Sequence, residues 1–205
     1  MERVDHFYTV EGVSEGLYKE KGSKFIAYAY PVKNEEEVKE TLLELKKQYY
    51  DARHHCYAYM LGAERKDYRA NDDGEPNHSA GDPILGQINS KNLTNVLVVV
   101  VRYFGGTKLG VSGLINAYKV SAEEALSKAK VIKIDVTKSI HLEYTYEDTN
   151  DVMKLVSDFN IDITDQKFEA ACAMQGEVNI NLVHQLQEKV QLLQDLSKNV
   201  KFTID

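Results

Sequence analysis

The chain has 205 residues, 43% hydrophobic and 28% charged, a balance that supports a buried core and excludes long disorder. Its longest apolar run, Val96 to Val101, is six residues, against the roughly 20 that a membrane helix needs, so no helical span is expected. A net charge of −7 excludes bulk attraction to nucleic acid.

That charge is uneven. Residues 1–137 carry 19 Lys+Arg against 20 Asp+Glu, whereas residues 138–205 carry 6 against 12. Any contact with RNA must therefore come from a local patch, and the acidic final third is the poorest place for one. The first twelve residues carry charges where a signal peptide has its apolar segment, and two cysteines, Cys56 and Cys172, make no disulfide framework. Both features point to a cytoplasmic protein with reduced thiols.

In chain order, Ser14 to Val32 reads as a hairpin turning at Lys21-Gly22-Ser23. Asn34, with Glu37 three residues on, is a capping-box pattern, and Val38, Leu42, Leu45 and Tyr49 mark one helical face. "ARHHCYAYMLG" is strand-like and pairs with "ERKDYRA" across a turn near Gly62. "NDDGEPNHSAGD" is a loop leading to a short helix that starts near Pro83, with Asp82 placed to cap it. "NVLVVVVRYF", apolar at every second and every intervening position, is a central strand covered on both faces. Leu114, Tyr118, Ala122, Ala125 and Ala129 mark a long helix whose small residues pack close to a sheet.

A break falls near residues 133–138. Beyond it, Ile140, Leu142, Tyr144 and Tyr146 alternate as a strand, and Val152, Leu155, Val156 and Phe159 follow as a helix. Strands around 161–169 and 171–181, a helix through Leu182, Leu186, Val190 and Leu193, and a closing strand "NVKFTI" complete the order β-α-β-β-α-β.

Three stretches carry chemistry. The central strand ends in Arg102-Tyr103-Phe104-Gly105-Gly106-Thr107-Lys108, and Gly110, Ser112 and Gly113 open the next helix. Glycines beside free N–H groups at a helix start, with Arg102 and Lys108 adding charge, make a layout for phosphate or sulfate. The same glycines also serve a tight turn and close packing, and the spacing matches neither the P-loop nor the dinucleotide fingerprint. In the acidic loop, Asp73, Gly74 and Glu75, beside Asp72, precede His78 and Ser79; a divalent cation, acid–base work and an ordinary turn all fit these residues. In "HHC", strand parity puts His54 and Cys56 on one face and His55 on the other, so the histidines cannot close on one metal, and Cys56 reads as a small core residue. Tyr57, Tyr59, Tyr103 and Phe104 suit base stacking and sheet packing equally. No nucleophile–base pair is visible, so no catalytic residue, cofactor or metal is assigned.

Taken together, "ARHHCYAYMLG", "NDDGEPNHSAGDPILGQI" and "VLVVVVRYFGGTKLGVSGLINAY" resemble the IMPACT family in its two-domain bacterial branch, YigZ. The Arg-aromatic-aromatic-Gly-Gly-x-x-Leu-Gly motif is complete from Arg102 to Gly110. The resemblance implies an α+β protein. Its first domain, over 1–135, would be similar to the second domain of ribosomal protein S5. Its second, over 138–205, would be ferredoxin-like, similar to a C-terminal domain of elongation factor EF-G. It further implies a non-enzymatic, translation-associated protein that binds RNA, the ribosome or a translation factor and regulates translation. The alternative is a hydrolase or phosphotransferase using the acidic loop and the glycine corner. Eukaryotic relatives restrain a starvation-responsive kinase through an additional N-terminal domain, and that pathway is not carried over here. After Asp-Gly-Glu-Pro most members have small residues such as Ser-Gly-Thr; here Asn77-His78-Ser79 stand in their place.

Overall fold

The computed structural model describes residues 4–169 and 171–204, which divide into two units: His6–Ile134 in one, and Val4 and Asp5 with the described residues from Asp135 onward in the other. The first unit contains β1 (His6–Glu11), β2 (Ser14–Glu20), β3 (Ser23–Pro31), α1 (Glu35–Gln48), β4 (His54–Leu61), β5 (Asp67–Asn71), α2 (Gly81–Ser90), β6 (Val96–Tyr103), α3 (Gly110–Lys128) and most of β7 (Lys130–Asp135). Its main sheet runs β2-β3-β6-β4-β5, antiparallel throughout.

The valine run of β6 is buried on both sides because helices cover both faces. Val96, Val98 and Val100 pack with Ala58, Met60, Ile84, Ile88 and Ala122 under α2 and α3, while Leu97 and Val99 pack with Val38, Leu45 and Tyr59 under α1. The small residues of α3 permit a very close approach. A Cβ at Gly16 in β2 would lie 2.5 Å from the Ala125 nitrogen and 2.8 Å from the Ser121 oxygen. α1 starts as its sequence dictates: Asn34 Oδ1 accepts the Glu37 N–H (2.9 Å). The return bond from Glu37 goes one residue further back, to the Lys33 N–H (2.7 Å).

Two expectations need correction, and one strand is new. α2 begins at Gly81, two residues before Pro83, and Asp82 does not cap it. Asp72 Oδ1 accepts the N–H groups of Ala80 (2.9 Å) and Gly81 (2.8 Å) instead, a cap supplied from eight and nine residues upstream. The division between the units, at Ile134 and Asp135, falls within the range 133–138, and residues 130–135 form β7, a strand the sequence does not announce, which pairs with β1 in a separate two-stranded ribbon. β7 is exposed at all but Ile132 and so carries no buried alternation to read. Tyr146 does not continue its strand; it is 77% exposed and opens a 3₁₀ turn.

The second unit contains β8 (Thr137–Tyr144), that turn (Tyr146–Asp148), α4 (Thr149–Asp158), β9 (Asp162–Phe168), β10 (Cys172–Asn179), α5 (Val183–Asp195) and β11 (Val200–Ile204). Its sheet order is β11-β8-β10-β9, all antiparallel, which is the ferredoxin-like arrangement. Ile140, Leu142, Met174 and Val178 face a core shared with Val152, Leu155 and Leu186. The alternate positions Ser139, Glu143, Gln175 and Glu177 are exposed.

Candidate anion-binding site

β6 carries Arg102 on the same face as Val98 and Val100, so the guanidinium is driven inward and is only 7% exposed. A buried cation needs a partner, and Glu75 of the acidic loop supplies it. Arg102 Nη1 donates to Glu75 Oε1 (2.5 Å), and the Tyr118 hydroxyl of α3 donates to the same oxygen (2.8 Å). The guanidinium carbon lies 5.4 Å from the ring centre of Phe25 and 5.7 Å from that of Phe104, while the buried Nε has no partner. Arg102 therefore pairs with Glu75 of the acidic loop.

Behind this pair sits Cys56, fully buried as its strand parity predicts. Its thiol donates to the Asp72 carbonyl (2.9 Å) and lies 3.3 Å from the Tyr118 hydroxyl. Burial pushes the Cys56 thiol and the Tyr118 phenol well above their ordinary values. A thiol held protonated in this way is a core residue, not a nucleophile.

The acidic loop is organised by its own carboxylates. Burial alone would raise the Asp72 pKa, but N–H bonds from Gly81, His78 and Ala80 outweigh it and hold the carboxyl below its usual range. Asp73 has φ +40° and Gly74 φ +87°, the tight bend that brings Glu75 inward. Asp73 Oδ2 accepts the His55 N–H (2.7 Å), and its Oδ1 lies 3.7 Å from Lys46 Nζ. The Asp73 carbonyl accepts from His54 Nδ1–H (2.8 Å), which fixes that tautomer. Ser79 is buried and donates to the Pro76 carbonyl (2.6 Å). His78 is exposed and donates to Asp82 (2.6 Å). Among the described residues, no group of three or more His, Cys, Asp or Glu is placed to hold a metal ion.

At the glycine corner the residues have separate jobs. A Cβ at Gly105 would fall 1.9 Å from the Gly22 carbonyl carbon, so this position must be glycine for the chains to pass. Its N–H donates to Ser23 Oγ (3.1 Å), which leaves it unavailable to an anion. Gly106 (φ +88°) and Gly110 (φ +76°) have open space around them and are needed for their backbone conformation. α3 then starts with no side-chain cap and no acidic residue in its first turn. The first N–H groups of a 19-residue helix are thus available, with the positive end of its dipole.

These elements enclose a cleft of about 440 Å³. Arg53 and Lys108 supply charge, Arg102, Glu75 and His54 a polar floor, and Phe104, Leu109, Val111 and Leu114 an apolar wall, with Pro76 and Gly110 completing it. Of the residues expected from sequence, Tyr103 lies outside the lining: it sits on the opposite parity of β6 and donates to Asp51 (2.7 Å), which pushes the phenol up to about 12. Thr107, Ser112 and Gly113 also lie outside the lining, the first two exposed, as do Asp73, Gly74, His78 and Ser79 of the loop and Gly105 and Gly106 of the corner. Arg53 and Tyr118 were missed. The signal for Arg53 lies in the register: His54 pairs with Arg102 across β4 and β6, so the residue before His54 stands at the same sheet end.

An α+β protein whose first unit ends its buried central strand in a cationic, glycine-bounded cleft is the class defined by fold and site. Residues 21–126 match the Impact N-terminal domain. IMPACT family member YvyE of Bacillus subtilis is 37% identical over 140 residues, 68% of this chain and 64% of that relative. An IMPACT family member of Haemophilus influenzae is 32% identical over 172 residues, 82% and 79% of the two chains. A crystal structure described as that of a hypothetical protein superposes with a TM-score of 0.74 at 24% identity, over 97% of this chain and 96% of that one, and has the same fold. The chain belongs to the IMPACT family. The YvyE match leaves about a third of that relative uncovered.

Proposed function

We propose that the protein is a non-enzymatic, cytoplasmic, translation-associated binding protein whose first unit holds RNA phosphate, with residues 138–205 as an accessory docking module. The uncapped start of α3 carries this reading, because it opens onto a cleft bounded by Arg53, Lys108 and the buried Arg102. The translation context comes from family membership. The carboxylates of the loop support binding over catalysis. Asp73 is engaged by the His55 N–H, and Glu75 Oε1 takes two donors at once, which is how a carboxylate is positioned rather than freed to take a proton.

The test is titration of single-stranded RNA with the full chain at several salt concentrations. Lys108→Ala should lower the salt slope by about 0.7 for one lost phosphate contact, with an unchanged melting temperature. Lys201→Ala in β11, whose lysine is exposed beside Glu143 (3.6 Å), should leave the slope alone. Binding that ignores Lys108, or that follows Lys201, overturns the assignment.

A further inference from the structure

An anion site alone needs no apolar wall, yet this cleft has one. Phe104 is 54% exposed and Val111 53% exposed, both at the cleft mouth, while Leu109 and Leu114 line it behind them. The Phe104 ring already has the Arg102 guanidinium carbon 5.7 Å from its centre, which fixes a flat aromatic surface beside a buried cation. Arg102 lines the cleft although it is more than nine-tenths buried, so the floor beneath the apolar wall is polar. The volume, about 440 Å³, is that of a small-molecule pocket and is too concave for the side of a duplex, whose bases are stacked out of reach.

Building on the phosphate reading above, we infer that the cleft takes one whole nucleotide: a nucleoside monophosphate unit, unstacked. Its phosphate sits at the α3 start with Lys108 and Arg53, and its base lies against Phe104 and Val111. The floor suits a base or sugar edge better than a second phosphate. Glu75 neutralises Arg102 there, and a donor beside an acceptor matches a neutral polar edge. The same unit is offered by a free nucleotide and by the end or loop of single-stranded RNA.

Five probes separate the possibilities by calorimetry on the full chain: inorganic phosphate, ribose 5-phosphate, a nucleoside 5′-monophosphate, a short single-stranded RNA and its duplex. The monophosphate should bind about tenfold more tightly than ribose 5-phosphate, the difference being stacking. Phe104→Ala should abolish that difference, and Phe104→Tyr should keep it. Phe104→Leu, which retains the apolar bulk, serves if the alanine variant melts early, and should lose most of the difference. Single strand should bind more tightly than duplex if RNA is the source; tight monophosphate binding with no gain from the strand identifies a free nucleotide. If phosphate binds through Lys108 but the base adds nothing, the nucleotide inference is overturned and the anion site stands. If neither phosphate nor nucleotide binds, both fall.

Discussion

The two units bury their sheets by opposite rules. In the first, β6 is covered on both faces, so every position from Val96 to Arg102 is buried, and the charge at its end keeps only 7% exposure. In the second, β8 and β10 alternate strictly, and ionisable residues such as Glu143 and Glu177 simply stand on the exposed face. A polar residue on a half-covered sheet is a matter of solubility. On a doubly covered strand it is a commitment that other elements must meet, and here the acidic loop, α3 and the Phe25 ring all converge on Arg102. The cleft therefore sits at the end of the buried strand.

The comparison breaks most openly at the ion pair. Arg102→Ala leaves the buried Glu75 carboxylate without its cation and should cost about 3–5 kcal/mol. Breaking the exposed Lys201–Glu143 pair with Lys201→Ala should change stability by less than about 0.5 kcal/mol. Replacing both partners together, Arg102→Met with Glu75→Gln, should recover much of the loss. Denaturant unfolding of the full chain measures all three, and equal effects of Arg102→Ala and Lys201→Ala would erase the distinction between the units.

A smaller effect separates the glycines of the corner. Gly105→Ala must push the backbone away from Gly22 and should cost about 3 kcal/mol. Gly106→Ala meets open space and should cost about 1 kcal/mol, for its positive φ alone. Thermal melts that rank Gly106→Ala as the worse would show that backbone conformation, not close passage, governs the corner.

What could be read from the sequence divides along the same line. The valine run, the parity of His54 and His55, the Asn34 cap and the whole β-α-β-β-α-β order were legible because each rests on neighbours within a turn or a strand. The Arg102–Glu75 pair spans 27 positions and the Asp72 cap eight and nine, distances at which nothing local marks the partner. For that reason the sequence offers the local Asp82 as the cap for α2 and names no partner for Arg102. Tyr118 read as one more core position of α3, since a phenol that completes a buried carboxylate looks like any other residue on an apolar face. The β1–β7 ribbon escaped for a different reason: β7 buries no face.

Acid titration gives the smallest effect and the finest test of the comparison, because among the described residues Asp72 in the first unit and Asp148 in the second are carboxylates held below their usual range. Asp72 is held so by three backbone N–H groups against the opposing pull of burial. Asp148 is held so first by the Thr145 hydroxyl, then, against burial, by the Asn199 N–H and Lys198. A carboxyl whose folded pKa is depressed leaves the unfolded state binding more protons, so its contribution is present above the unfolded value of about 3.9 and is lost as pH falls through the folded value. Asp72→Asn keeps the oxygen for Ala80 and Gly81 but sets an amide against the His78 N–H, and should cost about 1 kcal/mol at pH 7. That deficit should shrink below about pH 4 and vanish once the parent carboxyl is protonated. Asp148→Asn should follow the same direction with pH. Salt distinguishes them: the Lys198 contribution to Asp148 comes from a half-exposed ammonium and is partly screened, whereas backbone N–H donors are not. Urea unfolding at pH 7 and pH 3, each with and without 0.5 M salt, reads both effects. A deficit for Asp72→Asn that is constant with pH would mean that its charge does nothing for the loop, and that the loop is closed by shape alone.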